Sequence, residues 1–132
     1  MSTGNRSTVQ TVALAFGTIY LLAGILGFLG FLGGSYTLTS KPLFGIFEVN
    51  LVHNLVHVVI GVAGLAAASS AQNSRTYCQV LALILLLLGV LGIFVASPLG
   101  LLNIGGADIA LHVFSGAVLA YFGFQAPIAL RR

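Results

Sequence analysis

The sequence predicts an all-α integral membrane protein, an antiparallel bundle of four transmembrane helices made of two repeated helical hairpins. Three observations predict it. First, 58% of the 132 residues are hydrophobic and only 5% are charged, whereas soluble domains carry about 25% charged residues. So few charges cannot cover a water-exposed surface. Second, four apolar stretches run over about 10–33, 49–71, 77–96 and 107–126. Each is close to the ~20 residues a helix needs to cross a bilayer. Third, turn-forming residues separate them: Gly33-Gly34, Lys41-Pro42, Asn73-Ser74, Ser97-Pro98 and Gly105-Gly106, with Pro127 after the last. The chain reads as one membrane domain over residues 1–132.

The first stretch follows a polar segment, MSTGNRSTV. Its apolar run is too long for a signal peptide, and no small-x-small cleavage site follows it, so it is expected to stay as a helix. Its inward face is the stripe Gln10, Ala13, Gly17, Tyr20, Gly24 and Gly27. In the second stretch Asn50, His53, Asn54 and His57 fall within one arc of about 100°. Gly61, Gly64 and Ala68 continue that arc. The third stretch offers Cys78, Ala82, Gly89, Gly92 and Ala96. The fourth offers Asp108, His112, Ser115, Gly123 and Ala126. Small residues let helices approach closely in lipid, where packing drives association. The opposite faces are Leu, Ile, Val and Phe, as lipid contact requires. "PLFGIF", residues 42–47, reads as a short interfacial segment.

Charge sets the orientation. Arg6, Arg75, Arg131 and Arg132 fall on one side of a four-span chain. Lys41 and both acids, Glu48 and Asp108, fall on the other. Basic residues mark the cytoplasmic face, so both termini are expected inside. The five basic residues are scattered between apolar runs, which argues against nucleic acid as a partner despite the net charge of +3. The single cysteine, Cys78, excludes an internal disulfide and reads as a packing residue.

The second half of the chain echoes the first. "LLAGILGFL" matches "LLLGVLGIF", which puts Gly24 and Gly27 on Gly89 and Gly92 at an offset of 65. "HNLVHVVIG" matches "DIALHVFSG", which puts His57 on His112 and Gly61 on Gly116 at an offset of 55. Two helices per repeat give both halves the same orientation, with the symmetry axis along the membrane normal.

The chemistry gathers in the outer half of the bundle. His53 and His57 are expected to meet Asp108 and His112 there, with Asn50, Asn54 and Glu48 completing a polar network. An unpaired polar group at that depth costs several kcal/mol, so these groups need partners. The best reading is a structural seam in a small accessory membrane protein. An alternative is a metal ion on His53, His57, Asp108 and His112, because both pairs have i, i+4 spacing. Another is b-type haem between His57 and His112, with Gly61 and Gly116 leaving room for a flat ring; a quinone or pigment could use the same space. Transport is a weaker reading: two of the helices carry no charge and the inner half looks sealed by glycine and alanine. No enzyme is expected. No Ser or Cys nucleophile stands beside the histidines, and Asp108, His112 and Ser115 share one helix face, which does not make a triad.

At "NLVHNLVHVVIGVAGLAAA" the chain resembles a bacterial family of small four-span membrane proteins of unknown function. The likeness lies in Asn50, His53, Asn54 and His57, then Gly61 and Gly64, then Leu111 and His112, and extends from about Thr11 to Phe124. The resemblance implies a bacterial cytoplasmic membrane and a four-helix bundle, and no activity. The expected partners are the lipid bilayer and either further copies or a larger membrane complex. "GFLGG", with Gly30 and Gly34 four apart, hints at a second contact face.

Overall fold

A computed structural model describes residues 4–97 and 100–125. Four α-helices follow in order: α1 (Thr8–Leu26), α2 (Leu51–Ala67), α3 (Ala71–Phe94) and α4 (Ala107–Phe124). Between α1 and α2 lie a 3-10 turn at Gly30–Leu32 and two short strands, β1 (Lys41–Leu43) and β2 (Phe47–Val49). The strands pair antiparallel, with Lys41 opposite Val49, Pro42 opposite Glu48 and Leu43 opposite Phe47. The segment expected to lie as an interfacial stretch is therefore a small hairpin.

Helices α1, α3 and α4 are long and apolar enough to cross a membrane, with mean hydropathies of 1.9, 2.5 and 1.5. Helix α2 has 17 residues, about 25 Å at 1.5 Å per residue, against a hydrocarbon core of about 30 Å. Its outer face is as apolar as the others: Val59 is 67% exposed, beside 60% for Ile19 on α1, 67% for Leu87 on α3 and 69% for Phe114 on α4. Large aliphatic and aromatic side chains directed outward from all four helices suit hydrocarbon and not water.

Helix boundaries follow local chemistry. Ser7 and Gln10 form a reciprocal capping box at the start of α1. The first apolar stretch was expected to continue to Gly33, but α1 stops at Leu26. Gly33 takes the left-handed conformation, φ 88°, and the chain folds back so that the Ser35 amide donates to the Gly27 carbonyl (2.8 Å). Gly30 and Gly34, read as one contact face, are placed differently: Gly30 is exposed, and Gly34 is buried against the Gly27 and Leu29 carbonyls. Helix α3 starts six residues before the expected Tyr77. Ser70 caps it by accepting from the Asn73 amide (3.1 Å), so Asn73-Ser74 is a first helical turn and not a break. Pro98, Ala126, Pro127, Arg131 and Arg132 lie outside the described residues.

Packing is closest within the pairs α1–α2 and α3–α4. Glycines make the approach possible: an added Cβ at Gly61 would meet the Leu21 main chain, and one at Gly116 would meet Leu86. At Gly24 it would meet Val58, and at Gly89, Val113. The two pairs join through a core of Tyr20, Cys78, Leu81, Ala82, Leu85 and Leu119. Leucine, not glycine and alanine alone, fills the inner half. Ala96, expected inward, is exposed.

At the end of the bundle that carries the N-terminus, side chains satisfy the last carbonyls of α2 and α4. Gln10 donates to the Ala68 carbonyl (3.1 Å) and Ser74 to that of Ala67 (3.0 Å). Arg75 donates to Gly123 (3.1 Å) and Gln125 (2.7 Å), and Gln79 also to Gly123 (2.8 Å). Helix ends in a low-dielectric medium need such partners.

Candidate functional site

The polar residues of α2 divide into two groups with different uses. The asparagines are fixed to main chain. Asn50 caps α2, its side-chain oxygen accepting from the His53 amide (2.9 Å) while its amide donates to the Leu101 carbonyl (2.8 Å). It thereby ties the start of α2 to the second outer loop. Asn54 is fully buried and donates to the carbonyls of Gly27 (2.7 Å) and Ser35 (2.8 Å). These bonds close the chain reversal after α1. Gly27 has to be glycine, because a Cβ there would overlap the Asn54 amide.

The histidines are not fixed in this way. His53 and His57 bond to one another through their Nε2 atoms at 3.0 Å, with rings perpendicular and centroids 4.3 Å apart. One ring must donate, and the other must accept and carry its proton on Nδ1. His53 Nδ1 is buried without a partner, as are Asp108 Oδ2 and His112 Nδ1. The Glu48 main chain approaches both His53 and Asp108 but leaves those two atoms unbonded. Glu48 itself is half-buried on β2. Each such orphan costs about 1–3 kcal/mol.

Tyr20 completes the cluster. Its ring stands perpendicular to His57 with centroids 5.0 Å apart. Sequence reasoning put Tyr20 on the inward stripe of its helix but gave it no place at the site; one tyrosine among small residues was the available signal.

Two cavities flank the histidines. One, of about 50 Å³, is bounded by Tyr20, His53, His57, His112 and Leu88. That is room for a few waters. The other, of about 310 Å³, is a groove with His53, His57 and Asp108 at its polar end. Three of the four predicted ligand residues thus line the groove, and His112 lines the smaller cavity. Among the described residues, no three His, Cys, Asp or Glu side chains form a group that could hold a metal ion. The room expected for a flat ring above Gly61 and Gly116 is taken by Leu21 and Leu86. The His57 Nε2 that a haem would need is engaged by His53.

The family model described as a domain of unknown function, DUF4383, matches residues 10–125. No curated protein and no solved structure matches the chain.

Proposed function

The chain belongs to the DUF4383 family, and from that premise we propose that it is a small non-catalytic accessory protein of a bacterial cytoplasmic membrane. Its outer polar core locks two helical hairpins in register and keeps a histidine-lined space between them. The observation that carries this reading is the bonding of the asparagines. Asn54 joins α2 to residues 27 and 19 positions away, and Asn50 joins it to a residue 51 positions away in the other half. All three bonds end on main-chain carbonyls of outer segments, so they set helix rotation and depth together.

In this reading all four helices span the bilayer. The apolar outer face of α2 supports the fourth span, because a helix lying in water would expose polar residues. Two hairpins with one ancestor are supported by their contacts. Gly24 faces Val58 and Gly89 faces Val113; Gly61 faces Leu21 and Gly116 faces Leu86. Each pair maps on the other at the offsets of 65 and 55 read from the sequence. Arg6 and Arg75 share one end, which supports both termini on the cytoplasmic side. Further copies or a larger membrane complex are the natural partners of so small a bundle.

Cysteine labelling tests the arrangement. In a Cys78→Ala background, Thr39→Cys should react with an impermeant maleimide added outside whole cells. Ser69→Cys, exposed in the α2–α3 turn, should react only after lysis. The opposite pattern would overturn the orientation, and equal reactivity from outside would remove a span.

A second reading rests on the His53–His57 pair. Tetrahedral zinc at ~2.0–2.1 Å from each nitrogen sets its ligands about 3.3 Å apart, and the Nε2 atoms stand at 3.0 Å. A small opening of the pair, with a side-chain rotation of His112 or Asp108 toward it, would give three ligands. Elemental analysis of protein purified without chelator decides: one metal per chain, lost in His57→Ala, favours it.

A further inference from the structure

The two cavities beside the histidines correspond through the repeat. At the offset of 65, Ile19 and Ala23 in the groove correspond to Ile84 and Leu88 in the smaller cavity. At the offset of 55, Phe47 and Val49 above the groove correspond to Leu102 and Ile104, and His53 and Val56 in the smaller cavity correspond to Asp108 and Leu111. His53 and His57 form the wall between the two. The spaces differ in volume, about 310 Å³ against about 50 Å³. Among the matched lining positions, Ala23 corresponds to Leu88, which adds three carbons at the same place in the second half.

The open groove has the features of a site. Its volume is at the low end of the ~300–1,000 Å³ of small-molecule pockets. Its mouth lies among Ile19, Leu22 and Leu111, which are 60%, 53% and 44% exposed on the lipid-facing surface. Its closed end carries His53 and Asp108, only 7% and 3% exposed. Each keeps a buried polar atom without a partner, His53 Nδ1 and Asp108 Oδ2. Its roof is the β1–β2 hairpin, whose turn holds Phe44 at φ 52°. A bulky residue seldom adopts that conformation, and such strain gathers at ligand clamps.

The head group can be specified from the lining. No Lys or Arg lines the groove, so nothing there would neutralise a phosphate or a carboxylate. An imidazole and a carboxyl lining one groove can instead donate to a carbonyl and accept from a hydroxyl. We infer that the groove between α1, α4 and the β-hairpin is a lateral binding site for a bilayer-soluble molecule with an uncharged ring-sized head bearing carbonyl or hydroxyl oxygens, the chemical class of the prenylated quinones and quinols. His53 and Asp108 hold the head, and the tail leaves between Ile19 and Leu111 into the lipid. The inference rests on the transmembrane reading given above and is independent of whether the asparagines lock the hairpins.

The test uses the full chain in lipid nanodiscs and a tritiated decyl-substituted benzoquinone. Saturable binding near one per chain is expected. Ala23→Leu installs the side chain that the second half already accommodates at Leu88, and should weaken binding at least tenfold. Asp108→Asn keeps the shape and should weaken it several-fold. Leu88→Ala should leave the affinity unchanged. Binding that does not saturate, or that survives both Ala23→Leu and Asp108→Asn, overturns the site. A decylamine that displaces the quinone with tenfold higher affinity overturns the head-group class, because Asp108 would then be holding a cation. Loss of binding in Ala23→Leu counts only if circular dichroism and the Thr39/Ser69 labelling pattern match wild type; an altered pattern in the wild type itself overturns the membrane arrangement instead.

Discussion

Replacing Asn54 by isoleucine separates hydrogen bonding from packing. The second hairpin carries Ile109 at the corresponding position, facing Gly92 as Asn54 faces Gly27, so the branched side chain has a precedent in this fold. The substitution removes the donors to Gly27 and Ser35. Gly27 keeps one partner, the Ser35 amide. Ser35 loses the only bond from Asn54 to its carbonyl. Two lost hydrogen bonds at the ~0.6 kcal/mol average measured in membranes, plus about 1–3 kcal/mol for the stranded carbonyl, give about 2–4 kcal/mol. Asn54 Oδ1 is itself buried without a partner, and isoleucine removes that burden of about 1 kcal/mol or more. The net destabilisation is therefore about 1–3 kcal/mol. Equilibrium unfolding in mixed detergent micelles, followed by circular dichroism, measures it. A variant as stable as wild type, or more stable, would refute the claim that Asn54 fixes the outer end of the bundle.

The close helix contacts make a comparative prediction. A Cβ at Gly61 would stand 2.6 Å from the Leu21 Cα, whereas at Gly116 its nearest neighbour is the Leu86 side chain at 2.8 Å. Side chains yield more easily than main chain, so Gly61→Ala should cost at least about 1 kcal/mol more than Gly116→Ala; equal Tm values in detergent would contradict this. Phe44→Asn relieves a left-handed conformation that costs an L-residue about 1–2 kcal/mol, and asparagine tolerates it in turns. Phe44 is 55% exposed, so little packing is lost. The variant should unfold at a higher temperature than wild type, and a lower Tm would mean that Phe44 is held by contacts stronger than the strain.

The helical architecture was legible because lipid imposes simple rules. Apolar stretches near 20 residues and glycine stripes each have a single physical reading. The inward positions from Asn50 to Ala68 follow from periodicity, and all of them are buried except His57, which is half-buried. Boundaries were less legible where apolar residues make turns. "GFLGFLGG" has the composition of a membrane helix, yet it reverses direction after Leu26, because Gly33 can take φ 88° and Asn54, 27 residues after Gly27, donates to the freed Gly27 carbonyl. No local pattern encodes a partner so distant. Arg75 shows the converse. Its position in the sequence read as an orientation signal, and in the fold its guanidinium also closes the end of α4.

The motif itself carried more information than its periodicity gave. Read as one polar stripe, Asn50, His53, Asn54 and His57 form a single seam, and a seam needs every member bonded. The fold divides them by partner type. An amide has two donors that can reach two carbonyls, so asparagine suits the closing of a chain reversal. An imidazole has one donor and one acceptor on opposite edges, so a paired histidine always presents its other edge to something else. Here that other edge, in His53, has only the Glu48 main chain near it and makes no well-formed hydrogen bond, while Asp108 lines the same groove with one carboxylate oxygen unbonded. A purely structural role would favour removing both groups, since a well-packed apolar pair is commonly as stable or more so. Their cost to the bundle is understandable if something from the bilayer completes the bonds that the chain leaves open.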